Sequence, residues 1–62
     1  MEGQKAAIFY DDGSAISRKD GTIEKEDETW IFLNVGNDKV IAISRSRIIR
    51  IEFKTESGNH EV

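Results

Sequence analysis

Four cations crowd the C-terminal third of this chain: Arg45, Arg47, Arg50 and Lys54. From Lys39 to Lys54 there are five basic residues and one acidic residue, Glu52. Guanidinium and ammonium groups in such a cluster suit phosphate oxygens. An aromatic side chain such as Tyr10 could stack a base beside them, as single-strand nucleic-acid sites do. The acidic side chains Asp11, Asp12, Glu24, Glu26, Asp27 and Glu28 lie elsewhere, in stretches that read as turns. Carboxylates in pairs could transfer protons or hold a hard cation. A Ca²⁺ site needs six or more oxygens from one ordered loop, and solvated turns account for these residues better. The chain has no cysteine and one histidine, His60, in a polar tail. Ser44 and Ser46 have no base near them in sequence. The expectation is therefore no catalytic residue, no metal, no cofactor and no small-molecule substrate, in a chain too small for an ordinary substrate pocket.

The elements that must carry these groups follow from composition. Isoleucine outnumbers leucine nine to one and proline is absent. β-Branched residues favour strands, so an all-β fold is expected. Sixty-two residues make one domain, which buries only about 60% of its unfolded surface. Without disulfides or thiolate metal sites, self-association is the remaining way to add stability at this size. The opening MEGQK has no apolar core segment and no run approaches the ~20 residues of a membrane span. A soluble cytoplasmic protein is the expectation. Net charge is −3, which weighs against a generic nucleic-acid binder.

Strands and turns alternate along the chain. Lys5–Tyr10 reads as a strand with Ala7 and Phe9 on one face, Ile8 and Tyr10 on the other. Asp11-Asp12-Gly13 is a hairpin signal. Ser14–Lys19 is a polar strand whose Arg18 and Lys19 would discourage edge pairing, and Asp20-Gly21 repeats the Asp-Gly signal. Thr22–Glu26 reads as the exposed end of a strand and the turn after it. Thr29–Val35 is a strong strand with Ile31, Leu33 and Val35 on one face and Trp30 and Phe32 on the other. Gly36-Asn37-Asp38 is a turn. Both strong strands are apolar on two faces, which marks Ile8, Tyr10, Trp30 and Phe32 as candidate interface residues in a homo-oligomer.

A parity test divides the segment from Lys39 to Phe53. One straight strand would place Arg45 and Arg47 in the row Ile41, Ile43, Ile49, Ile51 and Phe53. An unpaired guanidinium cannot be buried there. A break at Ser44–Arg47 removes the conflict. Ser44 would cap a 3₁₀ turn through its side chain, both arginines would face water and Ile48 would plug the core. Five strands with a 3₁₀ turn before the last are best hidden in a small closed barrel, spanning residues 1–54, with a flexible tail over residues 55–62.

This order of elements resembles the SH3-like small barrels, and among them the Sm-like proteins. The resemblance rests on Asp12-Gly13-Ser14, on Gly21-Thr22-Ile23, on Asp27 ahead of Trp30-Ile31-Phe32-Leu33, and on Ile43 with Ile48-Ile49-Arg50-Ile51. It implies a barrel with a bent second strand. It also implies RNA or single-stranded DNA as a partner for Arg45, Arg47, Arg50, Lys54 and Tyr10, although the Arg-Gly signature of the Sm-like proteins is missing. The leading expectation is a non-enzymatic, self-associating interaction module; nucleic-acid binding is the alternative.

Overall fold

A computed structural model describes residues 2–54; the expected tail, with His60, lies outside them. The chain forms β1 (Lys5–Asp11), β2 (Ile16–Glu26), β3 (Trp30–Asn34), β4 (Val40–Ser44), a 3₁₀ turn (Arg45–Arg47) and β5 (Ile48–Phe53). All five strands join one antiparallel sheet in the order β4-β3-β2-β1-β5.

The parity argument predicts the strand–turn–strand form of residues 39–53, and the structure has it: Arg45 and Arg47 are exposed. The cap differs. Ser44 makes no side-chain capping bond; its Oγ pairs with Ser46 Oγ at 2.9 Å. A turn of three residues presents few unpaired N–H groups, and Arg45 N–H finds Thr29 O instead.

Asp20-Gly21 is not a turn. β2 runs through it as one strand, with Gly21 opposite Ala6 and Asp20 opposite Ala7. Glycine is needed here for space. A Cβ on Gly21 would lie 2.2 Å from Asn34 O and 3.1 Å from Leu33 Cγ. The pairing partners change at this point. Ile16–Thr22 pairs with β1, whereas Thr22–Glu26 pairs with β3. Ile23, expected on an exposed end, is fully buried, because it joins the core cluster while β3 pairs with it on one side and the backbone of Gly3 and Gln4 bonds it on the other. Register shifts between Ile23 and Lys25, which adds a bulge and a further bend.

Connectivity forces the sheet to fold over. Ser44 pairs with Trp30, beside the Glu26 end of β2; Ile48 pairs with Tyr10, beside the Ser17 end. In a flat sheet those two places would lie about 19 Å apart across the strands and roughly 30 Å apart along them. The four peptide steps from Ser44 to Ile48 reach at most ~14 Å. A flat sheet is therefore excluded, and bending falls on β2, the longest strand.

Folding over encloses Ala6, Ile8, Ile23, Ile31, Leu33 and Ile43, with Tyr10, Val35, Ile41, Ile48 and Ile51 packed around them. The alternation on β3 predicts Ile31 and Leu33 inward, and both are buried. Ile48 does pack on the core from the end of the 3₁₀ turn. Gly36 to Lys39 turns with positive φ at Asn37 (55°) and Asp38 (59°) and a bond from Lys39 N to Gly36 O. These are the φ signs of a type I′ hairpin.

Gly21→Ala is expected to lower the thermal midpoint by on the order of 10 °C, because the Asn34 carbonyl must move away from the new methyl group. A melt monitored by far-ultraviolet circular dichroism checks this; an unchanged midpoint would mean the β2–β3 approach is looser than described.

Candidate interaction surface

The four cations do not converge. Arg45 lies across the β2–β3 turn: Nε donates to Asp27 O and Nη2 to Glu26 Oε1, both at 2.7 Å. Arg47 reaches the other way, with Nη1 3.4 Å from Asp11 O at the β1–β2 turn. Arg50 stands on the outer face of β5, 2.8 Å from Glu52, with its guanidinium carbon 4.6 Å from the Phe9 ring centre. Lys54 Nζ is 2.7 Å from Asp20 Oδ2.

This outer face of β2-β1-β5 forms a charge lattice. Phe9 lies opposite both Arg18 and Arg50 in register, and Arg18 also lies over its ring at 5.5 Å. Arg18 pairs with Asp20 at 2.9 Å. Ala7 stands between Asp20 and Glu52 and is buried on this face. The lattice therefore covers β1 from outside and holds each of its three cations against one of its two acids. Its pairs are exposed, so each adds little to stability. Tyr10, expected near the basic residues, is half-buried and packs on the core.

The carboxylates are used in turns. Asp12 accepts from the backbone N–H of Ser14 and Ala15 and from the Ser17 hydroxyl. The Ser17 hydrogen bond, then the backbone bonds, hold its carboxyl well below the usual range. Asp27 Oδ1 accepts from Trp30 N at 2.7 Å and Thr29 N at 2.8 Å; these two bonds lower its pKa. Asp20 is lowered chiefly by Lys54 and then Arg18. Among the described residues no three Asp, Glu or His side chains group as metal ligands.

One groove of about 470 Å³ runs between Asp20, Gly21, Glu24, Asn34 and Lys54. Its volume falls within the ordinary range for ligand sites, contrary to the expectation from chain length. Four of its polar groups are bonded in pairs, Lys54 to Asp20 and Asn34 Nδ2 to Glu24 Oε2 at 2.9 Å.

The apolar surface lies elsewhere. On the outer face of β3 and β4, Trp30 stands opposite Ser44, Phe32 opposite Ala42 and Asn34 opposite Val40. Trp30 is 41% exposed and Val40 48%; Phe32 is half-buried beneath Lys25, whose Nζ is 5.6 Å from the ring centre. Trp30 and Phe32 thus share the outer face of β3, as the alternation in Thr29–Val35 predicts. Ile8 does not join them. It is fully buried in the core, because β1 lies inside the sheet and the core side of a central strand is covered. Val40 and Ala42 were missed; their signal was the uncharged run VIAIS. No protein-family model, curated protein or solved structure matches the chain.

The three lowered carboxyl groups set an acid limb. Each stabilises the fold fully above its ordinary value near 3.8 and loses that contribution as pH falls below it. The thermal midpoint should hold between pH 5 and 7 and fall below about pH 4. Asp12→Asn and Asp27→Asn should each flatten that limb; parallel pH titrations of the variants and the parent provide the check.

Proposed function

We propose that this chain is a non-enzymatic interaction module, a small SH3-like barrel with Sm-like strand order, which self-associates through β4. Support for the barrel comes from the bent β2, the folded-over sheet and the 3₁₀ turn before β5. One observation carries the interaction reading: β4 is an edge strand with no charged residue, bordered by an apolar face on which Trp30 and Val40 are exposed and Phe32 is half-buried. Soluble proteins usually guard such an edge with charge, proline or a bulge. An unguarded edge accepts another strand through main-chain hydrogen bonds. The small core, with two alanines among its buried residues, gives the chain a reason to gain stability by association.

Nucleic acid has less support as the partner. Arg45, Arg50 and Lys54 each face a carboxylate, and Tyr10 is half-buried against the core. Labelled single-stranded RNA or DNA should show no change in anisotropy at low salt; a salt-sensitive rise would restore the alternative.

Association should depend on concentration. Sedimentation equilibrium from about 10 µM to 1 mM should show mass rising above the 7.0 kDa of one chain. Trp30→Ser should weaken that rise about tenfold or more in dissociation constant, since interface aromatics are common hot spots. A strict monomer throughout the range would refute the reading.

A further inference from the structure

We propose that two copies pair β4 with β4 about a two-fold axis passing beside Ala42. This rests on the reading of β4 as the associating edge and adds its partner strand, register and symmetry.

Hydrogen-bond parity narrows the register. Arg45 N donates to Thr29 O, and Val35 N to Lys39 O. Both bonds belong to the same β3–β4 register as Ile31↔Ile43 and Leu33↔Ile41. In an antiparallel ladder, bonded and non-bonded pairs alternate. The peptide groups of Ile41 and Ile43 therefore turn toward β3. Those of Val40, Ala42 and Ser44 turn toward the open edge, and their side chains share the outer face with Trp30 and Phe32. A second antiparallel β4 can bond only through these three residues. Centring the axis on Ala42 sets Ala42 against Ala42 and Val40 against Ser44, twice over, which engages all three residues of each copy. The Ser44 carbonyl already accepts within the 3₁₀ turn that Ser44 caps, so this register makes four main-chain bonds between free groups. Shifting the centre to Ile43 leaves two; shifting it to Ile41 keeps four but drops Ser44 from the pairing, and the side chains decide between these two centres.

Side chains agree with this register. Ser44 is small and stands between Trp30 of its own copy and Val40 of the other. The two largest exposed apolar groups of this face are thereby brought together. The five paired residues bring no like charges opposite one another. Just outside them, Lys39 comes opposite Arg45 of the second copy, whose guanidinium is already engaged by Glu26.

The other open edge is a poorer partner for β4. In β5 the register shifts between Phe9 and Tyr10, leaving Ile49 as a bulge, and Arg50 and Glu52 interrupt its apolar row. A bulge and alternating charges are the usual guards against edge pairing. The β4 pair is also short. Five residues and the side chains beside them fall below the ~800 Å² per partner of a standard interface, so the dimer is one that dissociates on dilution.

Three variants test this. The natural chain has no cysteine, so Ala42→Cys introduces a unique thiol. In the proposed dimer the two thiols are within reach of a short bis-maleimide, and crosslinking should trap a covalent dimer at concentrations where the parent associates. Ala42→Pro removes an N–H that bonds nothing in β3, a position where an edge strand tolerates proline. It should give a folded monomer by circular dichroism and sedimentation. Should proline unfold the chain, Ala42→Lys sets two like charges face to face at the axis and should raise the dissociation constant at least tenfold. A parent that is dimeric while Ala42→Cys fails to crosslink, or while Ala42→Lys dimerises unchanged, overturns the register but leaves self-association standing. Trimers or larger rings overturn the two-fold and point to β4–β5 pairing. A parent that stays monomeric to 1 mM overturns both.

Discussion

Three residues of 3₁₀ turn connect the two edge strands of a five-stranded sheet, and the rest of the fold answers to that tether. The strands it joins are held, through β3 and β1, at opposite ends of β2, so β2 must bend. It bends where Gly21 admits the Asn34 carbonyl and where the ladder slips past Glu24. Once bent, it lends one half to β1 and the other to β3, and the apolar residues of four strands meet inside. The turn is held at both of its ends. Arg45 reaches the β2–β3 turn and Arg47 the β1–β2 turn, two loops that a flat sheet would keep apart.

The basic residues thus serve the fold before any ligand. Electrostatic attraction in an exposed setting is weak pair by pair; Arg18 and Arg50 meet acids of their own strands, whereas Arg45 and Lys54 meet acids that the fold brings to them. Charge is spent within the molecule on the β1 side. The β3–β4 side is left apolar and the β4 edge uncharged. That division is the ground on which association through β4 is proposed ahead of capture of a phosphate backbone.

Much of this was legible in the chain. The alternation in Thr29–Val35 gives the inward Ile31 and Leu33 and the outward Trp30 and Phe32. The two arginines among the isoleucines of residues 39–53 demand a break, because a guanidinium will not enter a dry core. Asp20-Gly21 was misread because one residue pair serves two purposes. Asp-Gly permits a turn, and glycine also permits a close backbone approach, which depends on Asn34, thirteen positions away. Ile8 was misread because a strand apolar on both faces does not say which face meets solvent; its place in the middle of the sheet decides that. Ser44 is well suited to a cap, yet so short a turn offers it a neighbouring hydroxyl instead.

The sequence by itself determined an all-β fold, its strand periods, the turn at Ser44–Arg47 and a surface rich in charge. These follow from local preferences and from burial, which act over a few residues. Tertiary structure decided which strands became edges, which acid neutralised which base, and where the apolar face met an open edge. Arg45 and Glu26 are nineteen positions apart, and Lys54 and Asp20 thirty-four. Such partners are chosen by strand order and register, which the whole chain sets at once through the short tether between β4 and β5.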